Sequence, residues 1–423
     1  MARIVVTGLG WMTALGTGRD LVWRRLLAGA CGTRPVRSFD ATPYSSQLGG
    51  EVDPEIETQL PTLDGEPTAA RASRFAVAAA RQAVADAGLH ELASIDPTRL
   101  GVAMGTTSGE PLFIERFNDR ALADHDSAES GSADAGAEGA ELADGYPCHA
   151  ISARVAAALG WGGLNLMFPT ACAAGSYALG HAVEALQRGR ADVMVAGGAD
   201  AFSRITYAGF ARLGAIAPER CQPFDRERRG MVPGEGAAVL VLERLDDARR
   251  RGAEVYAEIA GWGLGCDAHH MTAAHPEAVG PVNAMRQALR QAGRRPEDVD
   301  YVSAHGTGTP TNDRLETLAL HRVFEGHAPR LAVSSIKSMI GHAMGAASAI
   351  ESAVCALAVA SGHVPPTIHF ETEDPQCDLD CVPNAARSMP VRLAMNNALA
   401  FGGNNASVLF AACDEVSTRS VPS

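Results

Sequence analysis

The chain is predicted to be an α/β protein made of two similar halves, and three observations carry that expectation. Short β-branched runs alternate with Ala-rich stretches, segments of the first half recur in order in the second, and the composition is that of a well-packed globule. The runs are RIVVTG, ADVMVAGGAD, AAVLVLE, VYAEIAG, LAVSSIK and ASVLFAA. Strands interleaved with helices imply sheets buried under helical layers. The recurrence is more specific. RQAVADAG (81–88) is echoed by RQALRQAG (286–293), AMGTTSG (103–109) by AHGTGTP (304–310), and GEGAAVLVLE (234–243) by GGNNASVLFA (402–411). The opening strands ARIVVTGLG and YAEIAGWGLG make a fourth, weaker pair. Common order makes chance matching of Ala-rich helices the poorer explanation. It divides the chain into halves at 1–252 and 253–423, with a site expected at their junction.

At 423 residues, 46% hydrophobic and 20% charged, the chain can bury a large core without metal or disulfide staples. A net charge of −13 lacks the basic face that nucleic acid demands, so no nucleic-acid partner is expected. Nine cysteines, an odd number, and an opening that reads as a strand entering a glycine turn suggest reduced thiols and a cytoplasmic protein. No apolar run looks long enough to cross a bilayer, so no membrane is expected.

Taken along the chain, GLGWMTALG (8–16) invites a dinucleotide reading, but Thr13 stands where the fingerprint needs its last glycine. Between Asp119 and Asp144 eight acidic residues and one arginine lie among Gly, Ser and Ala, which reads as a surface insertion. FPTACAAGSYALGHAVEALQRG (168–189) reads as a turn at Pro169 and Thr170, then a helix ending before Gly189. Cys172 would sit at that helix start, where the dipole favours thiolate. Ala173, Ala174 and Gly175 are small enough to let the helix start lie against other backbone. A thiol nucleophile needs a base. His305 follows a strand amid Gly and Thr, and His342 stands at a Gly-flanked helix start. Thr307 and Thr309 could hydrogen-bond a ligand. Lys337 is the only lysine among 36 lysines and arginines, and it lies five residues before His342.

Other candidates carry less. Asp313 and Glu316 read as helix capping. The adjacent histidines in DAHHM (267–271) lack a third metal ligand. The Arg clusters at 226–230 and 249–251 read as solvated faces. Cys377 and Cys381 lack the second pair that a zinc site wants.

Taken together, TACAAG, AHGTGTPTND, KSMIGHAMGAA and LAFGGNNA resemble the β-ketoacyl-acyl carrier protein synthases of the elongating branch, condensing enzymes with the thiolase fold. The resemblance extends to VVTGLGWMTALG and PFDRERRGMVPGEGAAVLVLE, and so covers nearly the whole chain. It implies two duplicated α/β halves in five layers (αβαβα). It implies Cys172 as acyl-carrying nucleophile, His305 and His342 as paired active-site histidines, and Lys337 with Glu351 as the family's lysine and its nearby acid. Phe401 falls on the gating phenylalanine whose N–H joins that of Cys172 in an oxyanion hole. Thr307, Thr309 and Gly402 fall on substrate-binding positions for the phosphopantetheine arm. No metal or redox cofactor is implied, and the substrates ride on acyl carrier protein. PTNDRLET is most similar to the ketosynthase subunits of bacterial type II polyketide systems, which pair as heterodimers with a cysteine-lacking chain-length factor. A homodimeric fatty-acid elongating synthase is the close alternative. A non-catalytic partner subunit would have lost the cysteine, and Cys172 is present.

Overall fold

The computed structural model describes residues 2–58, 60, 62–63, 70–89, 95–126, 142 and 145–422. Most of the acidic stretch 119–144 lies outside the described residues. In the first half, β1 (Ile4–Thr13), β2 (Leu100–Gly105), β3 (Asn165–Phe168), β4 (Val193–Asp200) and β5 (Gly236–Arg244) lie in the order β3-β2-β4-β5-β1. In the second, β6 (Ala257–Cys266), β7 (Tyr301–Ser303), β8 (Ala332–Ser334), β9 (Leu393–Leu399) and β10 (Asn404–Ala411) lie in the order β8-β7-β9-β10-β6. Numbered within each half, both orders are 3-2-4-5-1. In both, strands two, three and four run parallel, and strand five is antiparallel to its two neighbours. The halves join where β1 pairs antiparallel with β6 through Ile4, Val5 and Val6.

Helices complete five layers. α1 (Arg71–Asp86) and α2 (His149–Leu159) cover the outer face of the first half, while α3 (Ala174–Gln187) lies inside. α4 (Val279–Ala292) and α5 (Pro310–Phe324) lie on the outer side of the second half, and α6 (Ala347–Ser361) joins α3 in the central layer. All four sequence echoes fall on equivalent elements: the ends of α1 and α4, the ends of β2 and β7, β5 with β10, and β1 with β6.

The paired glycines of the opening strands have a packing cause. Strand residues two apart share a face, and a Cβ on Gly8 or Gly10 would lie 2.1 Å from the Ala83 or Ala79 carbonyl oxygen of α1. Gly261 and Gly263 meet α4 the same way, at 2.5 and 2.1 Å from the Ala288 and Ala284 oxygens. Gly8 and Gly10 of GLGWMTALG therefore lie within a strand that runs to Thr13, and the expected glycine turn is absent at those two positions. β9 was not legible as a strand because Asn396 and Asn397 interrupt its apolar run. Both are buried, and the Asn396 amide donates to the Ser348 carbonyl and the Ser352 hydroxyl of α6 at 2.8 Å each.

No uninterrupted apolar run of membrane-spanning length overturns the expectation, but one segment, broken by Glu351, comes near it by composition. The segment Met344–Ser361 is long and apolar enough to span a bilayer, with mean hydropathy 1.5 over 18 residues. It is also 83% buried, because it is the core of the central layer, apolar round most of its surface for that reason but interrupted by Glu351.

Candidate active site

Cys172 is aimed by the connection from β3 to α3. Ala171 has φ 52°, a left-handed conformation that costs an alanine on the order of 1 kcal/mol. The chain then makes one tight turn, Ala171–Ala173, before α3 begins. Gly189 follows the end of α3 with φ 66°, as the sequence suggested. The small residues act as expected: a Cβ on Gly175 would lie 2.6 Å from the Ala349 nitrogen of α6. The two central helices thus touch backbone to backbone. The second half repeats the device, since Met344 has φ 50° and opens the turn Met344–Ala346 before α6.

His342 reaches the same point from the other half. Gly341 (φ 73°) follows the short helix Lys337–Ile340, and the His342 backbone is clamped by N–H donation to the Val232 carbonyl at 2.7 Å. His342 Nε2 lies 3.1 Å from Cys172 Sγ. The His305 ring stands nearly perpendicular to that of His342, at 5.4 Å between centres and 83°. One ligand atom from each of Cys172, His305 and His342 falls within 4.8 Å of the others. All three side chains are buried.

Lys337 and Glu351 sit behind this trio, both fully buried and joined as an ion pair. Burial, aided by the Lys337 charge, holds both imidazoles well below their ordinary pKa, so they are neutral at pH 7. Burial pushes the Glu351 carboxyl up, and Lys337 opposes it. The expected thiolate at the helix start is not the resting form. Burial pushes the Cys172 thiol up to about 12 against the pull of Lys337, so the proton stays until a base takes it. His342 Nε2 is placed to do so.

The cleft at this point encloses about 730 Å³, part of it open to solvent. It is lined by Cys172, His305, His342, Thr307, Thr309 and the Phe401–Gly403 turn, among others. The Thr307 and Thr309 hydroxyls are paired at 2.8 Å. Phe401 stands at the mouth, 39% exposed, its ring centre 5.7 Å from that of Phe210. Gly402, at φ 79°, turns the chain beside it. Of the nine residues singled out from sequence, seven line the cleft, and Lys337 and Glu351 form the charged wall behind it.

Two readings are overturned, those of Asp313 with Glu316 and of Arg228. Asp313 and Glu316 are buried and cap nothing. Glu316 accepts the backbone N–H groups of His305 and Gly306, both at 2.8 Å, and Asp313 accepts those of Phe224 at 2.8 Å and Gly308 at 3.2 Å. Arg228 is not on a solvated face: it is buried, donating to the Asp225 carbonyl at 2.7 Å and the Asp374 carboxylate at 2.5 Å. In DAHHM, Asp267 is an internal acceptor for the backbone N–H groups of His275 and Gly280, both at 3.1 Å.

Sequence reasoning missed Asp200, at the end of β4. It accepts from the Thr106 hydroxyl and from the N–H groups of Thr107, Ser108 and Gly345, at 2.7–3.0 Å. Asp200 thereby ties the end of β2 to the turn that precedes α6. Its only sequence signal was an acid at the end of an apolar strand.

Comparison with known proteins agrees with this geometry. Residues 1–248 match the β-ketoacyl synthase N-terminal domain, and residues 256–371 the β-ketoacyl synthase C-terminal domain. The chain belongs to the β-ketoacyl synthase family. Among curated relatives, it is 39% identical over 417 residues to 3-oxoacyl-[acyl-carrier-protein] synthase 2 of Coxiella burnetii, covering 96% of this chain and 98% of that one. It is 40% identical over 423 residues to the tetracenomycin polyketide synthase ketoacyl synthase alpha subunit of Streptomyces glaucescens, covering 97% of each. Among solved structures, the ishigamide ketosynthase/chain length factor superposes with TM-score 0.89 and 39% identity, over 97% of this chain and 99% of that one. These matches bear out the thiolase-type fold with its duplicated halves.

Proposed function

We propose that this β-ketoacyl synthase condenses a malonyl unit with an acyl chain held on Cys172, both delivered as acyl carrier protein thioesters in the cytoplasm. The observation that carries the reading is the thiol of Cys172 at 3.1 Å from a neutral imidazole, with a second imidazole and a buried cation beside it.

In the first half-reaction the Cys172 sulfur attacks the thioester carbonyl, and its proton passes by way of His342 Nε2 to the departing carrier thiolate. In the second, malonyl loses CO₂ and the freed electron pair becomes an enolate. Neutral His305 presents an N–H to the enolate oxygen, and so does neutral His342 once its one hydrogen sits on Nε2, a type of donor whose loss costs about 10²–10³-fold. Lys337 adds a fixed positive field from behind. The α-carbon then attacks the Cys172 thioester, whose oxyanion is received by the Cys172 and Phe401 N–H groups. The C–S bond breaks, and the departing Cys172 thiolate takes a proton from solvent to restore the resting thiol. Thr307, Thr309 and Gly402 hold the pantetheine arm. None of these steps calls for a metal or a redox cofactor.

The pathway we favour is type II polyketide assembly with a chain-length factor as partner. The PTNDRLET stretch and the likeness to the ishigamide pair support it. The 39% identity to a 3-oxoacyl-[acyl-carrier-protein] synthase 2 favours, as a second reading, a homodimer that elongates fatty acids.

Incubation with acyl-carrier thioester should add one acyl mass to the Cys172 peptide, and none in Cys172→Ala. An equal adduct in that variant would refute the assignment. Co-purification with a cysteine-lacking paralogue supports the polyketide pathway, and a stable homodimer without one supports the second.

A further inference from the structure

We propose that Cys172, His305 and His342 also form a site for one Zn²⁺ ion, which inhibits the resting enzyme by taking all three groups at once. One ligand atom from each falls within 4.8 Å of the others, and among the described residues no other three Cys, His, Asp or Glu side chains meet this closely. A tetrahedral zinc holds sulfur at about 2.3 Å and imidazole nitrogen at about 2.0–2.1 Å, which sets its ligand atoms roughly 3.3–3.6 Å apart. The 3.1 Å between His342 Nε2 and Cys172 Sγ must therefore open by about half an ångström, and the widest spacing must close by at most about 1.5 Å. Side-chain rotations of roughly 30° or less cover such shifts.

The donor set selects the metal. One thiolate with two imidazoles suits Zn²⁺ and its spectroscopic substitute Co²⁺, and it offers none of the oxygens that Mg²⁺ or Ca²⁺ would want. Three protein ligands leave the fourth tetrahedral position to the cleft, whose opening to solvent gives the ion its way in.

The backbones that carry the ligands are already fixed. His342 donates to the Val232 carbonyl at 2.7 Å and accepts from the Gly234 N–H at 2.9 Å, while the His305 N–H is held by Glu316 at 2.8 Å. Lys337 lies behind, but Glu351 balances its charge, so this wall adds no net charge against a cation. Nδ1 of each ring has no hydrogen-bond partner, so the ring hydrogen is free to sit there and leave Nε2 bare. Neither Nδ1–H finds the carboxylate or carbonyl that supports a resident zinc histidine, so the ion is held reversibly.

Binding exchanges the Cys172 S–H bond for an S–Zn bond, passes the proton to solvent and sheds water from the ion; nothing is oxidised. The sulfur can then attack no thioester, and neither imidazole can move a proton or receive an enolate. A thioester sulfur is a poor ligand, so the ion and the acyl group exclude each other. The inhibition rests on the condensation reading of this site; the binding does not.

The test is titration of the full-length protein, freed of metal, with Co²⁺. A sulfur-to-cobalt charge-transfer band and the visible bands of a tetrahedral ion should saturate at one equivalent, and Zn²⁺ should displace them. Acyl transfer from carrier thioester should fall in step with Zn²⁺ occupancy and return when EDTA is added. An outer-shell partner is worth 10–100-fold in metal affinity, so Cys172→Ala and His305→Ala, each losing a direct ligand, should bind more than about 100-fold more weakly. His269→Ala, which removes one of a separate pair of histidine rings 5.1 Å apart, should bind as wild type. Enzyme acylated beforehand should give no charge-transfer band. A band that fails to appear, or that persists in Cys172→Ala or in the acylated enzyme, overturns the site. Undiminished acyl transfer at full occupancy overturns the inhibition. A full band in an enzyme that transfers no acyl group even without metal would uphold the site and refute the condensation reading instead.

Discussion

The contact between the two central helices makes a sharp prediction, because each helix carries part of the reaction site. In Gly175→Ala the added Cβ would lie 2.6 Å from the Ala349 nitrogen and 2.7 Å from the Ala349 Cβ. Neither atom can swing away, since the first is backbone and the second is fixed to it. Reaching the 3.4 Å of an ordinary contact requires the helices to part by about 0.8 Å. Overpacking of this kind costs about 1–3 kcal/mol of stability. The larger effect should be on turnover. Cys172 precedes α3, while His342 precedes α6, so the same parting would stretch the 3.1 Å sulfur–nitrogen contact to about 3.9 Å, the outer edge of hydrogen-bond range for sulfur. A displacement of this size can cost about 10²-fold in rate. The assay is single-turnover acyl transfer from carrier thioester, read beside thermal melting. Gly209→Ala is the control, because nothing lies within 4 Å of its added Cβ. Gly175→Ala melting lower but transferring acyl groups at the wild-type rate would refute the claim that this contact sets the site geometry.

Two further outcomes follow from the buried charges. Burial lifts the Glu316 carboxyl to about 7, above the ordinary value near 4.3, so the folded chain holds that proton more tightly than the unfolded one. Wild-type stability should therefore fall as pH rises from about 4 to about 7 and level off above. Glu316→Gln should be the less stable protein at pH 5, having lost an acceptor for two N–H groups, and the gap should narrow towards pH 8 in urea titrations. A gap independent of pH would contradict this. Lys337→Met should cost about 3–5 kcal/mol by leaving Glu351 buried without its cation. Lys337→Met/Glu351→Leu should recover most of that stability but not the condensation rate. A double variant no more stable than the single one would show that the pair is not the source of the loss.

The repeat and the nucleophile turn were legible because each is written in a short run of chain. Gly8 and Gly10 recur as Gly261 and Gly263 since the same helix-on-strand contact recurs. Cys172 stands out because a tight turn before a deep helix needs small residues around it. Asp200, Asp313 and Glu316 were not legible because their partners are distant in the chain or are backbone groups, which no side-chain pattern encodes. Asp313 and Glu316 even mimic a cap by their spacing, and only burial reveals that they hold the loop of His305 and Thr307. Arg228 misled for a related reason: a run of arginines looks solvated until one of them is seen to turn inward.

The left-handed residues Ala171 and Met344 each stand three places before a central helix, so the residue after each occupies the same post in its half. In the first half that post holds Cys172, and in the second it holds Gly345. A side chain at Gly345 would lie 2.5 Å from the backbone of Thr106 and Thr107, and its N–H is committed to Asp200. Duplication thus offered two seats for a nucleophile, and the second is closed by the backbone of the first half. A fold of two matching halves thus has a single reactive side, and a thiol grafted at Gly345 would displace the Thr106–Thr107 backbone and the Asp200 tie before it created a second one.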